Sequence, residues 1–183
     1  MKIRTLFFSL LLACAISAQP AYHVCFTPAQ RCGYHIVDSI KAAKYNIRVQ
    51  AYSFTSKYIA DALIRAQRRG VSVQVIVDKS ELVNYSMVKK LLHAGVPIWV
   101  DMAPRIAHNK VMILDGSAVY TGSYNFTVGA EYHNAENLLY IRDKKLAAVY
   151  TANWQSRQTA SQRLSWQNFK PLQRQAKRRL KQR

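Results

Sequence analysis

Acidic side chains are scarce in this chain: nine Asp and Glu stand against 27 Lys and Arg in 183 residues, and none of the nine lies beyond Asp143. That imbalance argues against a cationic partner and for a polyanionic one, either nucleic acid or an anionic membrane surface. Cysteine is sparse too, with three residues, and no second Cys pair or His-x3-His cluster is present to complete a zinc set around Cys25 and Cys32. There is no internal repeat and no linker long enough to separate domains, so one domain with a proper core is expected. Long apolar runs are missing except at the start, where 6–16 is too short to span a bilayer comfortably. Lys2 and Arg4 precede that run and small residues ending at Ala18 follow it. Residues 1–18 therefore read as a cleaved secretory signal, which makes the protein exported, periplasmic or secreted. An uncleaved anchor and acylation at Cys14 are the lesser alternatives.

Export changes how the cysteines read. Cys14 leaves with the signal, and the remaining Cys25 and Cys32 are most simply a disulfide closing a local loop. The formal charge of +18 falls to +16 once Lys2 and Arg4 are removed. Its distribution matters more than its size, because every charged residue after Asp143 is Lys or Arg. Residues 159–183 are expected as a basic tail, densest from Pro171, either gripping a polyanion or merely solvated.

Half the residues are apolar, and their spacing alternates between two periods. Helical spacing over 35–44 precedes a strand at 46–53, and Ser56 looks like the N-cap of a helix that Gly70 stops. The β-branched stretch 71–77 predicts a buried strand. A helix over 81–94 and a strand over 96–100 follow. Strands are expected at 107–114 and 118–121 around an Asp115-Gly116 turn, and again at 136–141. Asp143 should cap a helix to about residue 158. Such alternation predicts an α/β fold, a mixed sheet flanked by helices on both faces, spanning 19–158.

The chemistry concentrates between His108 and Asn125. On a strand, His108 and Lys110 share a face. Histidine exchanges its proton near neutral pH and its free imidazole can attack phosphorus, while Lys110 supplies a fixed cation for a phosphoryl oxygen. Ser123 and Asn125 can hydrogen-bond the remaining oxygens as charge builds in a transition state. Gly122 would let the backbone come close to such a ligand. Together these residues suggest one phosphate pocket.

The run H-x-K-x4-D-x6-G-S-x-N resembles, at every fixed position, the HKD signature of the phospholipase D superfamily. C-F-T-P at Cys25, V-Q-A-Y-S-F-T-S at Val49, V-I-V-D-K-S at Val75, I-A-H-N-K-V-M-I at Ile106 and N-A-E-N at Asn134 extend the likeness over about 24–157. They are similar to the small, single-motif, exported bacterial endonucleases of the Nuc type. The resemblance implies a phospholipase D-like α-β-α sandwich. It implies His108 as a nucleophile forming a covalent phosphohistidine, with Lys110, Ser123 and Asn125 holding phosphate oxygens. Glu136, by the same resemblance, orients the imidazole, and Asp115 supports the turn behind the pocket rather than acting as an acid.

One motif supplies one nucleophile, yet displacement also needs a general acid on the opposite side of phosphorus. His23, His35, His93 and His133 lack any accompanying pattern. A twofold homodimer joining two copies of the motif is the economical solution, and the family's single-motif members are built that way. No cofactor is called for. Asp78, Glu81, Asp101 and Asp115 show no metal-ligand spacing, so no metal is expected. Among the aromatics near the motif (Tyr52, Phe54, Tyr120, Tyr124 and Phe126), Phe54 and Tyr124 are the better candidates for stacking on bases. The leading expectation is a metal-independent endonuclease of low specificity acting on DNA or RNA. A phospholipase D acting on anionic or other phospholipid is the alternative, and a non-catalytic nucleic-acid-binding module ranks last.

Overall fold

The computed structural model describes residues 21–182, so the expected signal at 1–18 lies outside the described residues. The β-branched runs of β2 and β3 form central strands, and the amphipathic runs of α2 and α6 form helices that bury one face. In chain order these are β1 (Ala21–Thr27), α1 (Cys32–Ala42), β2 (Asn46–Ala51), α2 (Lys57–Arg68), β3 (Ser72–Asp78), a 3-10 turn (Lys79–Leu82), α3 (Val88–His93), β4 (Ile98–Asp101), β5 (Lys110–Leu114), β6 (Ala118–Gly122), α4 (Val128–Tyr132), β7 (Glu136–Arg142), α5 (Lys144–Thr159), β8 (Gln162–Arg163) and α6 (Phe169–Lys181). Ser56 caps α2 by accepting from the Ile59 N–H, and Asp143 caps α5 by accepting from Lys145 and Leu146.

The strands form one mixed sheet in the order β1-β7-β6-β5-β2-β3-β4-β8. β2, β3 and β4 run parallel, and β5, β6, β7 and β1 are joined antiparallel. Strand alternation sorts the core into two layers. Ile76, Val111, Ile113 and Val119 meet Ala147 and Trp154 of α5 on one face. Their neighbours Val75, Val77 and Met112 pack among apolar residues of α1, α2, α3 and α6 on the other. Helices thus cover both faces, as expected.

Three departures are informative. The helix expected over 81–94 is broken: the 3-10 turn and α3 replace it, because Glu81 is buried and its carboxylate accepts the Phe54 N–H while Ser86 Oγ donates to the Glu81 carbonyl. Those side-chain bonds compete with helical ones. The basic stretch 159–183 is not a loose tail among the described residues. β8 pairs with β4, and Phe169, Leu172 and Ala176 of α6 enter the core. Finally, β1 adds an edge strand that composition did not announce, with Cys25 opposite Leu138 of β7. Cys25 is disulfide-bonded to Cys32, which ties that edge to α1.

The carboxylate of Asp101 is fully buried at the end of β4, where Arg157 of α5 donates to both its oxygens, Nε to Oδ2 at 2.9 Å and Nη2 to Oδ1 at 2.7 Å. Removing the guanidinium leaves an uncompensated buried charge. Arg157→Ala is therefore expected to lower the unfolding free energy by about 3 kcal/mol in urea titration, and a loss within experimental error of zero would contradict this role.

Candidate active site

Topology alone gathers the chemically capable side chains. The β5–β6 hairpin returns the chain so that Gly122, closing β6, lies near Lys110, opening β5. Glu136, opening β7, faces the same end because β7 runs antiparallel to β6. The end of β2 arrives beside them, with Ala51 opposite Lys110 and the Tyr52 N–H donating to the Asn109 carbonyl at 3.0 Å. His108, Lys110, Gly122, Ser123, Asn125 and Glu136 line one open cavity of about 370 Å³. The six residues that the motif and its flank suggested are brought together.

Within the cavity, Lys110 is buried and His108 exposed. The Lys110 ammonium donates to the His108 carbonyl at 2.7 Å and lies 2.9 Å from ring Nδ1. Desolvation, followed by the Lys110 cation, holds the His108 pKa below its ordinary 6.5, against a smaller opposing pull from Asp78. Burial likewise lowers the Lys110 pKa, with Glu136 pulling the other way. A neutral imidazole beside a cation is the protonation pair that nucleophilic attack on a phosphodiester needs. Ser123 Oγ accepts the Asn137 backbone N–H at 3.0 Å, which leaves its own proton to donate into the cavity. Asn125 Oδ1 is buried with no hydrogen-bond partner.

Glu136 lines the cavity, but its carboxylate accepts from Asn134 Nδ2 at 3.0 Å, and no hydrogen bond joins it to His108 among the described residues. The Asp115 carboxylate accepts the backbone N–H groups of Lys44, Tyr45 and Asn46, at the opposite end of β5 from His108. Partial burial opposes its ionisation, but those three bonds outweigh it and its pKa sits below the ordinary value. Gly122 adopts φ +141°, and a Cβ there would collide with the Asn137 carbonyl oxygen. It is thus the approach of β7, rather than of a ligand, that excludes a side chain.

Phe54 and Tyr124 do not serve as base-stacking residues, since both are fully buried. In the segment after β6, Ser123 and Asn125 line the cavity and Tyr124 between them turns inward. Its hydroxyl donates to Glu131, whose carboxylate also takes the Gly33 N–H, anchoring the loop to α1. Phe54 packs edge-on against Phe126 in the core. The aromatic at the site is Tyr52, with its ring 4.4 Å from that of His108 and 5.0 Å from the Lys110 ammonium.

Asp78 is the residue sequence reasoning undervalued. It is fully buried, and its carboxylate takes the Ser80 N–H on one oxygen and the Ala107 N–H on the other at 2.8 Å. That second bond fixes the backbone immediately before His108. Lys79 extends the clamp by donating to the Pro104 and Arg105 carbonyls. The available signal was a carboxylate and a lysine directly after the apolar run Val75-Ile76-Val77 of β3. Asp78, Glu81, Asp101 and Asp115 each have backbone or arginine partners in separate places, and no metal-binding cluster occurs among the described residues.

Residues 36–157 match the family model described as "Cardiolipin synthase, PLD-like domain". The chain belongs to the phospholipase D superfamily. It is 46% identical over 138 residues to a protein of Rickettsia prowazekii named "Phospholipase D", covering 75% of this chain and 67% of that one. It is 33% identical to a Drosophila melanogaster "Mitochondrial cardiolipin hydrolase", over 66% of this chain and 56% of the relative. The solved structure of Nuc from Salmonella typhimurium, a phospholipase D family member, superposes with a TM-score of 0.76 at 33% identity, over 80% of this chain and 99% of that one. As a phosphodiesterase of this superfamily, the chain carries its single HKD run at the cavity just described.

Two outcomes follow from the geometry. His108 should titrate below 6.5 by NMR, and Lys110→Met should raise that midpoint by removing the neighbouring cation; a midpoint that fails to rise would refute the coupling. Asp78→Asn places an amide donor against a backbone donor. It should lower kcat on bis(p-nitrophenyl) phosphate by about ten- to a hundredfold through misplacement of His108. KM should hardly change, whereas a change confined to KM would assign Asp78 elsewhere.

Proposed function

We propose that this protein is an exported, metal-independent endonuclease of low sequence specificity, cutting DNA or RNA at an active site shared by two copies of the chain. The observation that carries the reading is the cavity in which His108, Lys110, Ser123, Asn125 and Glu136 converge. The formal charge, +16 without Lys2 and Arg4, favours a polyanionic substrate over a zwitterionic lipid. The likeness to Nuc, the type suggested by the sequence, supports the same substrate class.

In the proposed reaction the neutral His108 imidazole attacks phosphorus. A nitrogen–phosphorus bond forms as the bond to the leaving oxygen breaks, and His108 of a second copy protonates that oxygen. Water then attacks the phosphohistidine, returning a proton to the second imidazole and freeing the first. Lys110, Ser123 and Asn125 hold the non-bridging oxygens throughout. The need for two imidazoles supports a dimer. So do the exposed apolar side chains of Ile106 and Val128, which flank the cavity segments in sequence.

The second reading is hydrolysis of phospholipid by the same steps, supported by the relatives named phospholipase D and cardiolipin hydrolase. Incubation in EDTA with supercoiled plasmid and, separately, with phosphatidylcholine vesicles distinguishes them. Plasmid nicking without choline release is expected, abolished by His108→Ala and declining on dilution below the dimer dissociation constant. Choline release without nicking would reverse the assignment.

A further inference from the structure

Beside the catalytic cavity lies a larger one, of about 520 Å³, that the reaction does not use. It is lined by Lys79, Ala103, Pro104, Arg105, Arg179 and Gln182. Three of the six are cations and none is a carboxylate. Lys79 is buried, its ammonium held by the Pro104 and Arg105 carbonyls with Asp78 3.9 Å away, so it contributes field and rigidity rather than contact. Arg179 of α6 donates through Nη1 to the Met102 carbonyl at 2.7 Å, which sets its guanidinium at the cavity wall. Arg105 is exposed.

Ala103, Pro104 and Arg105 belong to the loop that leads from β4 to His108. Only Ile106 and Ala107 separate Arg105 from His108, three residue steps that span at most about 11 Å. The clamp made by Asp78 and Lys79 therefore fixes the basic cavity and the nucleophile together. α6, which supplies Arg179, lies beyond the residues 36–157 matched by the family model.

We propose that this cavity is a second anion subsite, seating a backbone phosphate of the nucleic acid next to or a few nucleotides from the phosphate under attack. The inference rests on the nuclease reading and deepens it. A nucleic acid repeats its phosphates along the strand and can fill both sites at once. The exposed face of α6, with Lys170, Arg174, Lys177 and Arg178, continues the positive surface from the cavity. A lipid surface fits less well: Phe169, Leu172 and Ala176 are buried against the core, so α6 has no free apolar face to insert between acyl chains.

The test uses the full mature chain carrying Arg105→Gln, Arg179→Gln or both, assayed on a short oligonucleotide and on bis(p-nitrophenyl) phosphate, a diester with one phosphate. Gln keeps a donor for the Met102 carbonyl while removing the charge, and thermal melting checks folding. Arg179→Lys, which keeps the charge, serves if the Gln variant unfolds and should behave as wild type. The double variant is expected to raise the oligonucleotide KM about tenfold and flatten its salt dependence by about two units of slope. Turnover of the single-phosphate diester should stay within about twofold. An unchanged oligonucleotide KM overturns the subsite, and a parallel fall on both substrates reduces Arg105 and Arg179 to holding the loop. Wild-type protein that turns over cardiolipin vesicles but no oligonucleotide defeats the nuclease reading itself. Loss of that lipid turnover in the double variant would then give the cavity to a lipid headgroup.

Discussion

The register in which β5, β6 and β7 lie side by side is the constraint on which the site depends. Lys110, Gly122 and Glu136 come from three strands, and only the observed pairing brings their ends to one edge of the sheet. A slip of one residue would turn Lys110 to the opposite face and present Val111 in its place. Two features pin the register at the two ends of the hairpin. Asp115 binds the backbone amides of Lys44, Tyr45 and Asn46, where β2 begins, at the far end of β5, and Gly122 admits the Asn137 carbonyl at the near end. The motif aspartate and glycine thus act by placing the strands that carry the reactive side chains.

Buried carboxylates add to the positioning. Asp78 holds the chain before His108, Glu81 holds the loop after β2, and Asp101 holds α5 through Arg157. Burial pushes the Glu81 carboxyl up to about 7, opposed by the Phe54 N–H it accepts and reinforced by Asp78. In a chain this poor in acidic residues, these carboxylates sit behind the site rather than around it. Four of the nine carboxylates, Asp78, Glu81, Asp101 and Glu131, are buried in this way, which increases the excess of positive charge at the surface.

The alternation of periods made the layers of the fold legible, because buried strands and amphipathic helices differ in where apolar residues recur. Ser56, Gly70 and Asp143 marked helix ends through their own capping chemistry. The helix expected over 81–94 failed because Glu81 bonds across to Phe54 while Ser86 Oγ takes the Glu81 carbonyl, and local propensity registers neither bond. α6 was hidden by its charge: Phe169, Leu172 and Ala176 form an apolar stripe within a run that composition alone treats as a tail. At the site, residue types and spacing pointed to His108, Lys110, Gly122, Ser123 and Asn125, and the family resemblance added Glu136. Phe54 and Tyr124 were misplaced because proximity in sequence was allowed to outweigh burial: in the segment after β6 the Tyr124 ring turns into the core between two cavity-lining neighbours.

Covalent bonding of His108 to phosphorus is the step on which the proposed chemistry turns. It is tested most directly by mixing the enzyme with excess oligonucleotide, quenching in alkali within a turnover, and mapping the modified peptide by mass spectrometry. The expected result is a phosphoryl-linked fragment on His108 that is stable in alkali, lost in acid and absent from His108→Ala. A catalytically active enzyme that yields no adduct, or carries it on another residue, would contradict it.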